Sequence, residues 1–417
     1  MRLLKVEIKR ILKTRLTVIL LSAALLLTLL MAYLPITFPS SGCTYTDAQG
    51  NITELEGLQG ISYKKKLQTV VTGTVTPEMA RQAVETYQAC LQKYGAETTY
   101  DLPDGVYDTE ILPYAPLLRG IREIFADPDT GLAPAISDID PEKVDNYYDL
   151  CDARIVSLMK QEQKDHPAAQ QVAIDSFSQV DAPYVFYPGY STEAMEYQTL
   201  LAYLILLLCT VIAAPVFTSD YQTGADDIYR CTKFGKTKFA CIKILSAFLI
   251  CGIAYSLSAA LYLLASNSLY GWECTKSSMQ ILYSIISLPA MDIGQLQLFV
   301  AAAGLLCLLA TVSLTLFLSS KLKNMTVCLS SALLFCILPI IIYMALPEHI
   351  GIWIYSILPA GALSLQTGIL YAASDFDFWN IGNIAIWLPH VMIGAYVVEI
   401  PLFAGLTVYS YITHKTS

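Results

Sequence analysis

Long apolar runs without charge alternate with short charged segments along this chain. Residues 16–36, 197–219, 244–272, 293–320 and 324–347 are uncharged, and a sixth run near 391–412 carries only Glu399. A helix needs about 20 mostly apolar residues to cross a bilayer. The pattern therefore predicts a mainly α polytopic membrane protein with six transmembrane helices. One further uncharged stretch, 349–374, is long enough to span but contains Pro359, Gly361, Ser364, Gln366 and Gly368. Such a break suits a re-entrant segment that dips and returns under the cover of other protein.

Charge changes the picture by giving the spans a direction. Residues 1–36 hold six Lys/Arg and one Glu, whereas 37–196 hold 25 Asp/Glu and 11 Lys/Arg, a balance of −14 out of −9 for the whole chain. Lys and Arg favour the cytoplasmic side. The expected division is a cytoplasmic amphipathic interfacial helix (1–15), span one (16–36), an extracellular acidic domain (37–196) and span two (197–217). A cytoplasmic loop (218–243), spans three to five (244–346), an outer re-entrant segment (347–388), span six (389–412) and a cytoplasmic tail (413–417) follow. Both termini then face the cytoplasm of a plasma membrane, expected to be bacterial. In the first segment Leu4, Ile8, Ile11 and Leu12 share one helical face and Lys5, Lys9 and Lys13 another, as in a helix lying on a membrane surface. The apolar run at 16–36 exceeds the 7–15 residues of a signal-peptide core, so it is expected to remain as a span.

The acidic domain is expected to be mainly helical. Thr76-Pro77-Glu78 and Asp140-Pro141-Glu142 are helix starts, with stops expected at Gly95 and near Lys164. Asp127-Pro128-Asp129 begins like a calcium loop, but Leu132 and Asp138 occupy the places that require Gly and Glu, so a turn is expected. Cys43, Cys90 and Cys151 are too few and too irregular for a disulfide framework, although a single Cys90–Cys151 bridge is allowed.

Candidate chemistry is sparse. The four histidines are scattered, and no clustered metal-ligand spacing occurs. Gly235-Lys236-Thr237 lacks the earlier glycine of a phosphate loop, because Arg230 stands there. The chain is therefore expected to hold no nucleotide, metal or cofactor of its own, and its acidic balance excludes nucleic acid as a partner. Glu399, within the last span, is expected either to line an intramembrane path or contact a helix, or to reach outer headgroup water.

The informative segment is Asp220-Tyr-Gln-Thr-Gly224-Ala-Asp226-Asp227-Ile-Tyr-Arg230-Cys-Thr232-Lys233-Phe-Gly235-Lys236, leading to Lys243. It resembles the cytoplasmic loop of ABC-exporter permeases of the type V six-helix fold: an acid, a glycine four residues on, a small-residue and Gly/basic turn, then a basic residue entering the third span. Ala225 departs from that pattern. The amphipathic N-terminal helix, the six spans and the outer re-entrant pair extend the resemblance over 1–36 and 197–417, whereas the insert resembles no named family. The resemblance implies a coupling helix that docks on a separate ATPase subunit carrying ATP and magnesium, and a second permease copy or homologue. Asp220, Gly224, Asp226, Asp227, Arg230, Thr232, Lys233, Gly235, Lys236 and Lys243 are the expected coupling residues. Chemistry on this chain itself is not expected. The alternative is a membrane sensor or immunity protein whose acidic domain, with its twelve tyrosines, binds a cationic peptide.

Overall fold

The computed structural model describes residues 2–46, 51–232, 235–365 and 367–414. The chain is mainly α and polytopic, and among the described residues six helices are long and apolar enough to cross a membrane. It opens with α1 (Arg2–Leu12) and α2 (Arg15–Tyr33), the latter continuing as the first span to Thr37. The insert follows: hairpin β1 (Cys43–Thr46) and β2 (Ile52–Leu55), α3 (Gly57–Leu67), β3 (Gly73–Thr74), α4 (Pro77–Tyr94), α5 (Ala115–Ile124), α6 (Tyr147–Glu162), α7 (Pro167–Phe177) and β4 (Val185–Phe186), which pairs with β3.

The remaining helices are α8 (Thr192–Ala213), α9 (Pro215–Thr223), α10 (Ala225–Arg230), α11 (Thr237–Tyr270), α12 (Met279–Leu282), α13 (Ile293–Lys321) and α14 (Met325–Ala345). Then come α15 (Glu348–Tyr355), α16 (Ile369–Ser374), the β5 (Phe378–Ile381) and β6 (Ile384–Trp387) hairpin, and α17 (Leu388–Thr413).

The second and fourth spans, α8–α9 and α13, are the most buried and form the centre of the bundle. The first, fifth and sixth are the least buried and lie outside them. The insert sits on one end of the bundle. Lys65 donates to the Tyr270 carbonyl at 2.9 Å, and the Glu123 carboxylate accepts from the Ile285 amide at 3.0 Å and from the Ser284 hydroxyl.

Local sequence accounts for the insert's helices. At α4 the Thr76 hydroxyl accepts from the Met79 amide at 3.3 Å, Pro77 fills the first position, and Gly95 ends the helix at φ 62°. The second expected helix starts at its cap, with Asp140 accepting from the Glu142 amide at 3.1 Å, but its first turn is a 3₁₀ helix, Pro141–Asn146. Residues three apart eclipse in that tighter turn, and it brings Val144 and Tyr147 onto one fully buried face. The α-helix proper therefore runs only from Tyr147 to Glu162. Asp127 forms the expected turn, accepting from the amides of Asp129 and Thr130 at 2.9 and 2.8 Å. The allowed Cys90–Cys151 bridge is not formed: both are free, buried thiols. Cys90 faces Glu110, whereas Cys151 faces Tyr184.

Residues 349–374 do not form one spanning helix. After α15 the chain breaks and enters the bundle, where the Pro359 carbonyl accepts from Thr311 Oγ1 at 2.9 Å and Cys307 Sγ at 3.0 Å, near the middle of α13. The Ala362 amide donates to the Tyr396 hydroxyl at 2.7 Å. Side chains of α13 and α17 thus satisfy backbone that no helix satisfies, the condition for irregular chain at membrane depth. Gln366 lies outside the described residues. The β5–β6 hairpin was not expected, although a two-residue Gly382-Asn383 turn between strand-forming runs announces it.

Candidate functional site

The loop after the second span begins later and ends earlier than charge alone predicts. Asp220 and Lys243 stop the apolar runs in sequence, yet both lie within helices. The α8–α9 span runs on to Thr223, and α11 already starts at Thr237. The reason is electrostatic. Lys243 Nζ lies 2.5 Å from Asp220 Oδ2 and 3.5 Å from Glu7 Oε1, and Arg10 bridges the same two acids at 2.5 and 2.6 Å. Two acids and two bases cancel, so the helices carry their charges inward without a net cost in charge.

The Lys243 side chain is wholly buried, and those of Glu7 and Asp220 are 5% exposed. Lys243 also donates to the Val216 carbonyl at 2.5 Å, where α9 begins. Burial opposes the charge on Arg10, but Asp220 and Glu7 outweigh it and raise the guanidinium above its ordinary pKa. The cluster joins three elements: the N-terminal helix, the end of span two and the start of span three. Its desolvated charges hold only as a set, because removing one partner strands the others.

Gly224 ends α9 in the left-handed conformation, at φ 68°, and α10 follows at once. Asp226 and Arg230 pair within α10 at 3.6 Å. Arg230 then reaches the far end of the chain, donating to the carbonyls of Tyr411 at 2.5 Å and His414 at 2.7 Å. A cation on the last carbonyls of α17 satisfies groups that the helix leaves open. Tyr221 stacks on His414 with centroids 4.3 Å apart. The turn closes at Gly235, where a Cβ would collide with the Tyr229 carbonyl, and the Tyr411 hydroxyl donates to the Gly235 carbonyl at 3.3 Å.

These contacts divide the ten residues of the sequence motif into two sets. Asp220, Asp226, Arg230, Gly235 and Lys243 face inward and fix the loop to the bundle. Gly224, Asp227, Thr232 and Lys236 are exposed, beside Ile228 at 70% exposure. Lys233 lies outside the described residues, as do residues 415–417 of the tail. Sequence reasoning missed Glu7 and Arg10, although a lone acid among six bases, on the Leu4–Ile11 side of an amphipathic helix, was a signal for a buried ion pair.

Glu399 is the twelfth residue of α17, about 16 Å along the helix from its start. It lies one helical turn from the buried Tyr396, and its Oε2 is buried without a hydrogen-bond partner. Among the described residues no group of His, Cys, Asp or Glu is placed to hold a metal ion. No protein-family model matches the chain, and no curated protein matches it either.

Proposed function

We propose that the chain is the membrane-spanning permease subunit of an ATP-driven ABC exporter, and that α10 is its coupling helix. The observation that carries this reading is the division within the loop. A short helix with an exposed acidic and apolar face, Asp227 and Ile228, is bonded rigidly to spans two, three and six. A push on that face reaches the bundle through Asp220, Arg230 and Lys243 rather than being lost in a mobile loop. A solvated charge loop would need none of these buried bonds.

In this reading ATP and magnesium bind a separate ATPase subunit, and a second permease copy or homologue completes the transporter. The loop end faces the cytoplasm and the insert faces outward, in keeping with the Lys and Arg of residues 1–36 and 218–243. ATP binding would close the ATPase pair, displace the two coupling helices and move the spans between inward- and outward-facing arrangements. The exported substrate is unidentified. A chain acting as a sensor of cationic peptides has no comparable support, since it would leave the anchored loop without a task.

The test is purification of the chain from its native membrane, with an assay for magnesium-dependent ATPase activity in the purified complex. The reading expects activity that falls at least tenfold in Ile228→Asp while the yield of folded permease is unchanged. Absence of ATPase activity, or equal activity from the variant, would overturn it.

A further inference from the structure

The insert contains a cavity of about 640 Å³ between α4, α5, α6 and the 97–100 and 131–137 segments. Its charge is the opposite of its domain's. Four arginines occur in residues 37–196, and three of them, Arg119, Arg122 and Arg154, line this one space, against two carboxylates, Glu97 and Glu123. Both oxygens of Glu123 are already taken, by Ser284 and the Ile285 amide.

None of the three arginines has a carboxylate within 4.0 Å among the described residues, although the insert has 25 acids. Arg154 is the telling case. It is 7% exposed, donates once to the Ala126 carbonyl at 3.0 Å, and leaves Nε buried without an acceptor. A guanidinium has five N–H donors, and a buried cation with donors left unmet is costly, while Asp127 acts on it only from beyond ion-pair distance. An anion in the cavity would supply what the fold withholds.

The remaining lining indicates what the anion must be attached to. Tyr87, Tyr107, Ile111 and Leu118 form apolar wall, and Tyr100, 96% exposed, stands at the rim with nothing covering it. A cavity of this size suits a small molecule. The field of a domain at −14 repels a bare anion from a distance, so an apolar body has to contribute part of the affinity.

We propose that this cavity binds a small organic carboxylate with an aromatic or branched apolar body, its carboxylate held by Arg122 and Arg154 and its body against the tyrosines. The site is independent of the loop, and its failure would leave the permease reading untouched.

The full-length protein in lipid nanodiscs is titrated calorimetrically with N-acetyl-L-phenylalanine and with its amide, which differ in the carboxylate. The carboxylate is expected to saturate one site per chain and the amide to bind at least about tenfold more weakly. Arg122→Gln, at an exposed position, and Arg154→Lys, which keeps the charge but loses the fork, are each expected to weaken the carboxylate by about tenfold or more. No binding of the carboxylate, equal binding of the amide, or unchanged affinity in both variants would overturn the proposal.

Discussion

Lys243 and Asp220, 23 positions apart in sequence, stand 2.5 Å apart at the junction of spans two and three. Each is the other's reason for being buried. Lys243 has no exposed side-chain surface, so Asp220→Asn would leave a cation with only Glu7 at 3.5 Å to answer it. A stranded buried partner costs about 3–5 kcal/mol. We expect Asp220→Asn to destabilise the purified protein by that order, and Asp220→Asn with Lys243→Met to recover much of the loss. Denaturation of the two single variants and the double variant measures this, and additive losses would contradict it.

The two faces of the loop should separate folding from coupling. Asp227→Ala and Ile228→Asp alter exposed positions and should change the melting temperature by no more than a degree or two, because surface changes are usually within about 0.5 kcal/mol. Arg230→Ala removes two bonds to the last carbonyls of α17 and should lower it clearly. Equal melting temperatures across all three variants would mean that α10 is not fixed to the bundle.

Glu399 has no partner for its buried oxygen, so as a structural group it is a cost. Glu399→Leu is therefore expected to raise thermal stability. If the carboxyl serves transport, the same variant lowers export at least tenfold. A variant that is both less stable and fully active would contradict both expectations.

Acid should weaken the insert by a route that can be traced. Lys93 and Tyr94 hydrogen-bond the Glu110 carboxylate and hold its pKa below the ordinary value, and the Thr98 hydroxyl and amide do the same for Asp101. A carboxyl depressed in the folded state stabilises above its unfolded pKa, and loses that contribution as pH falls through the folded value. Melting should change little between pH 7 and pH 5 and drop below about pH 4. In Glu110→Gln the difference between pH 7 and pH 3.5 should be smaller than in the wild-type chain, as read by circular dichroism. An identical drop in both would contradict the assignment.

Much of this arrangement can be read from the residues. The six spans follow from apolar length, and the interruption at 349–374 follows from Pro359, Gly361 and Gly368; the broken backbone finds partners in Thr311, for the Pro359 carbonyl, and in Tyr396, for the Ala362 amide. Thr76 and Gly95 fix both ends of α4. The helices at the ends of spans two and three run further than a charge count predicts, for one physical reason. A charge count treats Asp220 and Lys243 as water-seeking, whereas across the helix junction they neutralise each other. Pairing over 23 residues, and from Arg10 over 210, leaves no local pattern. The arginine-lined cavity was hidden in the same way, because net charge averages over a domain and a cavity selects within it.

Cys231, at the exposed end of α10, would report directly on the proposed docking face. The measurement is its labelling by a membrane-impermeant maleimide, in a Cys241→Ser background, in sealed vesicles of either orientation, before and after an alkaline wash that strips peripheral proteins. The permease account predicts labelling in inside-out vesicles only, slow before the wash and at least several-fold faster after it. Labelling from the outside, or a rate that the wash leaves unchanged, would contradict the account.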